Sequence, residues 1–261
     1  MVLAWSACVV DADGRVLEEV DADRVHSTAS VGKVFLLCEL AERIVTGELD
    51  PDLPIWRDPA FAVADSGLWQ YFRQETLPLT DACLLVAAVS DNWATNALLD
   101  IVGLEAVAQR AAALGCERSA LHDRVRDLRL PTETPHLSTG TARELAEVAR
   151  RIHASSSGGP ADGVSSVAAR LVEVWLLIGV DLSMVAAPFA LDPLAHLVGE
   201  VRVWSKTGSD TSVRADMGTA WSAHDTYSYA GIASWSPDDD AGREAIDLMH
   251  ALGETLRRRL A

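Results

Sequence analysis

The sequence predicts an α/β fold of the α+β kind: an antiparallel sheet flanked by helices, joined to an all-helical lobe, with a groove between the two. Three observations carry this reading. β-rich runs cluster at both ends of the chain, at 3–10 and 15–20 and again at 201–205, 214–221 and 226–235. Between them lies a long block whose apolar residues recur at helical spacing. The 261 residues, 49% of them apolar, also suffice for a full core. Early strands that pair with late ones bring the two ends into one sheet, so residues 1–26 and 197–261 are expected to form the sheet domain and 27–196 the helical one.

Taken in order, residues 3–10 and 15–20 form a hairpin turned by Asp11-Ala-Asp-Gly14. From Ser30 to Ile44 the apolar stripe Val34, Leu37, Cys38, Ala41 and Ile44 predicts a buried helix that stops at Gly47. Residues 50–79 are Pro-rich and lack a sustained period, which predicts loop. Thr80 is expected to cap a helix through Val89, followed by helices from Trp93 to Val102 and from Leu104 to Leu114. Residues 116–140 are polar and irregular, a long loop of the sort that often carries function. Thr141-Ala-Arg-Glu144 is a capping box that opens a helix to about His153. The Ser/Gly tract from Ala154 to Gly163 predicts a flexible surface linker, and an apolar helix follows to about Ile178. After the late strands, Asp238 to Asp240 are expected to cap a last helix, whose C-terminal dipole Arg257, Arg258 and Arg259 complement.

A net charge of −16 leaves no broad basic face for phosphates, so nucleic acid is not an expected partner. The most apolar stretch, Val164 to Val180, is short and contains Arg170 and Glu173, so no membrane span is expected. The N-terminus lacks a basic leader pattern, which predicts a cytoplasmic protein as the sequence stands, or a secreted or periplasmic one if a leader has been removed. Cys8, Cys38, Cys83 and Cys116 are dispersed, without metal-ligand spacing, and are expected to be buried free thiols. No metal or cofactor is implied.

Three short motifs carry chemistry. Ser30 lies three residues before Lys33 at a helix start, on neighbouring positions of the first turn, where hydroxyl and amine can share a proton. Ser90-Asp-Asn92 sits at a junction of two helices, and Lys206-Thr-Gly208 at the end of the first late strand. Ser-x-x-Lys, Ser-Asp-Asn and Lys-Thr-Gly in that order, with 57 residues from Lys33 to Ser90, resemble the class A serine β-lactamases and related penicillin-binding proteins over nearly the whole chain. The 116 residues from Ser90 to Lys206 exceed the usual interval, and the Ser/Gly tract absorbs the excess.

The resemblance implies a serine hydrolase acting on a small molecule, a β-lactam or a related carboxylate-bearing amide or ester, as a monomer. It implies that Ser30 attacks the carbonyl and that Lys33 takes part in removing its proton. Ser90 would relay a proton to the leaving nitrogen, while Lys206 would anchor the substrate carboxylate and polarise Ser90. Asn92 would bond the substrate amide, and Thr207, Gly208 and Ser209 would form the strand edge along which substrate lies, with Gly208 leaving room for it. Backbone N–H groups of Ser30 and Ser209 would form the oxyanion hole.

The chain departs from the family pattern in the loop after Ser-Asp-Asn. Arg124 matches the family's arginine, but Arg126 stands where the water-activating glutamate is expected and Leu130 where an asparagine helps to hold that water. Asp127, one residue on, or Glu133, seven on, could supply the missing carboxylate, or neither. Slow deacylation follows, and with it the alternative of a penicillin-binding protein or sensor that stays acylated, or an esterase or peptidase on the same fold. Cys83 falls where some members have a disulfide partner, but Cys38 is one residue past the other position, about 100° around the helix, which leaves a bridge open.

Overall fold

In the computed structural model, which describes residues 3–130, 132–193, 195 and 199–261, the chain ends meet in one antiparallel sheet. Its strands are β1 (Ala4–Asp11), β2 (Val16–Val20), β8 (Arg202–Asp210), β9 (Val213–Trp221) and β10 (Thr226–Ser234), in the order β2-β1-β10-β9-β8. Alternation along β1 shows how the sheet serves two cores. Cys8 and Val10 point into the main core shared with the helical block, whereas Ala7 and Val9 point to a second core on the opposite face. There the last helix, α7 (Gly242–Leu260), covers the sheet with Ala245, Met249, Leu252 and Leu256. The β2 edge is blunted by exposed Glu18 and Glu19.

The helical block surrounds α1 (Lys33–Val45), whose first nine residues are all buried. Against it pack α2 (Leu79–Val89), α3 (Asn92–Val102), α4 (Leu104–Ala113) and α6 (Ser166–Leu177), while α5 (Ala142–Ser156) spans the inner face of the sheet. A helix that is apolar all round has no exposed face to keep polar, which is why α1 reads as nearly continuous Val-Phe-Leu-Leu-Cys. The expected boundary between residues 196 and 197 lies outside the described residues.

Several expectations change in detail. Thr80 does not cap α2: Pro78 occupies that position, and Thr80 Oγ1 donates to the Pro51 carbonyl at 3.3 Å. Asp238 to Asp240 stop short of α7, whose cap is Ala241, without a side-chain bond. The capping box at α5 is half formed. Thr141 accepts from the Glu144 N–H, but the Glu144 carboxylate turns away to take the N–H groups of Glu117 and Arg118. The Ser/Gly tract is not wholly linker, since α5 runs on through Ser156, whose hydroxyl donates to Glu173 at 2.5 Å. The loops hold short strands as well. β3 (His26–Ser27), β6 (Ala120–Leu121) and β7 (Ser138–Gly140) make one small sheet, and β4 (Pro54–Trp56) pairs with β5 (Thr76–Pro78). All four cysteines are free and buried, including Cys38 and Cys83; burial pushes the Cys38 thiol up to about 12 and that of Cys8 to about 11. No helix among the described residues is long and apolar enough to cross a membrane.

Candidate active site

The three motifs meet. Ser30 lies on a 3-10 turn, Ala29–Gly32, that leads directly into α1, and both it and Lys206 line one cleft of about 660 Å³ with Ser90, Asn92, Thr207 and Ser209. Two local devices aim these groups. Ala29 adopts φ +46°, which turns the chain sharply just before Ser30. Ser90 takes the left-handed conformation, φ 56° and ψ 35°, as the cap of α2, so the next helix starts in a new direction. Asp91 then fixes the junction, its carboxylate accepting from the N–H groups of Ala94 at 2.9 Å and of Leu68 and Trp69 at 2.8 Å.

Lys33 is fully buried and donates to the Ser90 carbonyl at 2.8 Å, to Asn92 Oδ1 at 2.8 Å and to Ser90 Oγ at 3.2 Å. Lys206, equally buried, donates to the same Ser90 Oγ at 3.1 Å and to the Thr207 carbonyl at 2.9 Å. One hydroxyl therefore accepts from two amines. A hydroxyl has two acceptor sites and one proton, so with both sites taken the Ser90 proton is left to face the cleft.

Burial drives the Lys33 amine well below the usual lysine range, and the Lys206 charge pushes it further, while Asp91 and Asp65 pull part of the way back. Burial also lowers Lys206, to about 8, against the opposing pull of Asp181 and Asp216. Asp181 lines the cleft, whereas Asp216 is buried beneath it. Asp181 accepts from Thr207 Oγ1 at 2.7 Å and from Ser183 Oγ at 2.6 Å. Asp216, on β9, accepts from the Val185 N–H at 3.0 Å, and burial raises its carboxyl to about 8.

The Ser30 hydroxyl makes no hydrogen bond among the described residues, so the direct proton-sharing contact with Lys33 expected from their spacing is not formed. Lys33 Nζ bonds to the Ser90 and Asn92 segment instead, which fixes the amine at the junction of α2 and α3. Gly208 also meets a packing requirement of its own. A Cβ built there would sit 2.3 Å from the Thr28 carbonyl oxygen and 2.9 Å from the Ser30 nitrogen, so the missing side chain lets β8 lie on the turn that carries Ser30.

Across the cleft, the loop after Ser-Asp-Asn is held by Asp123, which accepts from Arg126 Nε at 2.8 Å and from Arg129 at 2.7 Å. Arg126 also pairs with Glu133 at 3.0 Å. Glu133 is thus tied into the loop and accepts from the Leu130 N–H at 2.8 Å, whereas Asp127 lines the cleft, one of its oxygens accepting from the Ala64 N–H at 3.1 Å. Sequence reasoning passed over Asp65, Asp181 and Asp216. Their places at the cleft are set by tertiary packing, which an isolated aspartate in the sequence does not signal.

A family model described as "Beta-lactamase enzyme family" matches residues 4–260 of the chain. Among solved structures, a β-lactamase from Sphaerobacter thermophilus superposes with a TM-score of 0.82 at 24% identity, covering 99% of this chain and 93% of that one. PBP-A matches with a TM-score of 0.80 at 20% identity, covering 99% and 91%. A class A β-lactamase from Mycobacterium abscessus matches with a TM-score of 0.79 at 18% identity, covering 99% and 94%. No curated protein matches.

Proposed function

This chain belongs to the beta-lactamase enzyme family, and on that premise we propose that Ser30 is the nucleophile of a class A-type reaction, a β-lactamase-like serine hydrolysis through an acyl-enzyme. The observation that carries the assignment is the meeting of Lys33 and Lys206 on Ser90 Oγ at the floor of the cleft that Ser30 lines. Substrate is a β-lactam or a related amide or ester bearing a carboxylate.

Lys206, cationic below about pH 8, anchors that carboxylate. Lys33, whose lowered basicity favours the neutral amine, then keeps two N–H bonds, to the Ser90 carbonyl and Asn92 Oδ1, and the lone pair that replaces its longest donation, 3.2 Å to Ser90 Oγ, accepts the Ser30 proton. The hydroxyl oxygen adds to the substrate carbonyl, and the oxyanion is met by the N–H groups of Ser30 and Ser209. Ser90 passes its cleft-facing proton to the leaving nitrogen and is reprotonated from the lysine pair as the ring C–N bond breaks. Asn92 holds the substrate amide with the Nδ2 hydrogen left over from its 3.0 Å bond to Ala64.

Deacylation needs a carboxylate to activate water, and the loop offers Arg126 at the family's glutamate position, bound by Asp123 and Glu133. Asp127 is the acid of that loop nearest the task, but one oxygen is committed to Ala64. Acylation is therefore expected to outrun hydrolysis, which favours a long-lived acyl-enzyme. The test is a chromogenic cephalosporin followed by colour release and intact mass together. One rapid equivalent of colour with a matching adduct, then slow turnover, is the expected result, and Ser30→Ala removes both. Release unaffected by Ser30→Ala would overturn the assignment.

A further inference from the structure

Asp65 stands at the crest of a loop pinned on every side. Asn92 holds both of its neighbours, its Nδ2 donating to the Ala64 carbonyl at 3.0 Å and its backbone N–H to the Ser66 carbonyl at 3.0 Å. Ser66 Oγ donates to the Val89 carbonyl at 3.0 Å, and the Ala64 N–H donates to Asp127. Between these anchors the Ser66 N–H donates to the Ala64 carbonyl at 3.1 Å with Asp65 at φ +77°, a γ-turn of the rare, strained hand. A non-glycine residue at such an angle costs of order 1–3 kcal/mol, so something other than local preference keeps an aspartate there.

The Asp65 side chain has no hydrogen-bond or ion-pair partner among the described residues, and it lines the Ser30 cleft. The nearby cations differ in this respect: Arg126 and Arg129 are neutralised by Asp123 and Glu133 between them. Asp127, Asp181 and Asp210 line the same cleft but each accepts a hydrogen bond, whereas Asp65 presents a bare carboxylate on the wall beside Asn92, and its charge is felt as deep as Lys33.

We propose that Asp65 is a specificity-determining residue that selects acyl donors carrying a cationic group on the substituent beyond the amide, and disfavours anionic ones. This rests on the reading of Asn92 as the amide-binding group given above. A substrate whose carboxylate lies at Lys206 and whose amide lies at Asn92 runs its substituent past the pinned turn, where an ammonium meets Asp65 and a second carboxylate is repelled. The substrate class is thus zwitterionic, with carboxylate at one end and amine at the other.

Benzylpenicillin, ampicillin and carbenicillin differ at one carbon, which bears hydrogen, ammonium or carboxylate respectively. The test is the rate of adduct formation on the full chain with each, read by intact mass at low salt. Ampicillin is expected to acylate about tenfold faster than carbenicillin, with benzylpenicillin between, and the spread should narrow in 0.5 M salt as screening sets in. Asp65→Asn should collapse the spread. So should Asp65→Gly, which suits the positive φ and should leave the thermal midpoint unchanged or higher. A purely structural role would lower the midpoint and keep the ordering. Equal rates for all three penicillins on the native chain, or an ordering that survives both substitutions, would overturn this inference alone. Failure of every penicillin to acylate Ser30 would overturn it together with the function it rests on.

Discussion

Gly208→Ala is the substitution whose cost can be worked most directly from the structure. The added Cβ would lie 2.3 Å from the Thr28 carbonyl oxygen, 2.9 Å from the Ser30 nitrogen and 3.0 Å from the Val31 nitrogen, where ordinary contact begins at 3.4 Å. All three obstacles are backbone, so no rotamer change relieves them. Either β8 or the turn that carries Ser30 must move by about 1 Å. Overpacking of this kind costs roughly 1–3 kcal/mol. For a chain of this size that lowers the thermal midpoint by about 2–10 °C. The catalytic cost is larger, because Ser30 on one side of the contact and Lys206 on the other shift relative to each other, and an error of that size can cost on the order of a hundredfold in rate. Calorimetry together with time-resolved intact mass in the presence of benzylpenicillin separates the two effects. A variant that acylates at the native rate with an unchanged midpoint would refute the claim that the strand rests on the nucleophile's turn.

Three further outcomes follow. Ser90→Gly and Ser90→Ala should both lose acylation by about a hundredfold or more, since neither carries the relaying hydroxyl; Ser90→Gly should be the more stable of the pair by about 1 kcal/mol, because Ser90 sits at φ 56°, a difference that thermal melts can read. Acylation should fall as pH rises through about 8, because the carboxylate anchor needs protonated Lys206 and burial has brought its pKa down to that value; a pH profile from 6 to 10 shows the limb, and in Lys206→Arg, which stays charged, the limb should disappear. A colourimetric thiol reagent should find no reactive cysteine in the folded chain and four after denaturation, since all four thiols are buried and their pKa values raised.

The three motifs were legible because each is a run of three or four residues whose neighbours set its conformation: a turn before a helix at Ser30, a helix-to-helix corner at Ser90, a strand at Lys206. The sheet was legible for a related reason. Strands of five to nine residues with one face buried on each side leave an apolar signature, and the hairpin at the start requires a partner elsewhere. The two- and three-residue strands His26–Ser27, Ala120–Leu121 and Ser138–Gly140 leave none, since each pairs with residues distant in sequence over too short a span to show a period. Thr80 and Asp238 to Asp240 misled because an acceptable cap residue was present one or more positions away from where tertiary packing starts the helix. The packing of Gly208 against residues 28–31 was not legible, because that close approach joins segments distant in sequence. Asp65 was invisible in the sequence because only the four anchors around it, drawn from Asn92, Val89 and Asp127, give an otherwise ordinary loop aspartate its place on the cleft wall.

Under the proposed function one hydroxyl, on Ser30, becomes acylated because two buried lysines converge on Ser90 in the same cleft. Peptide mapping of the chain after brief exposure to benzylpenicillin tests that most directly. A single added penicilloyl group on the peptide that contains Ser30, lost in Lys33→Met as well as in Ser30→Ala, is the predicted result. An adduct on any other residue, or one that forms at the native rate without the Lys33 amine, would contradict it.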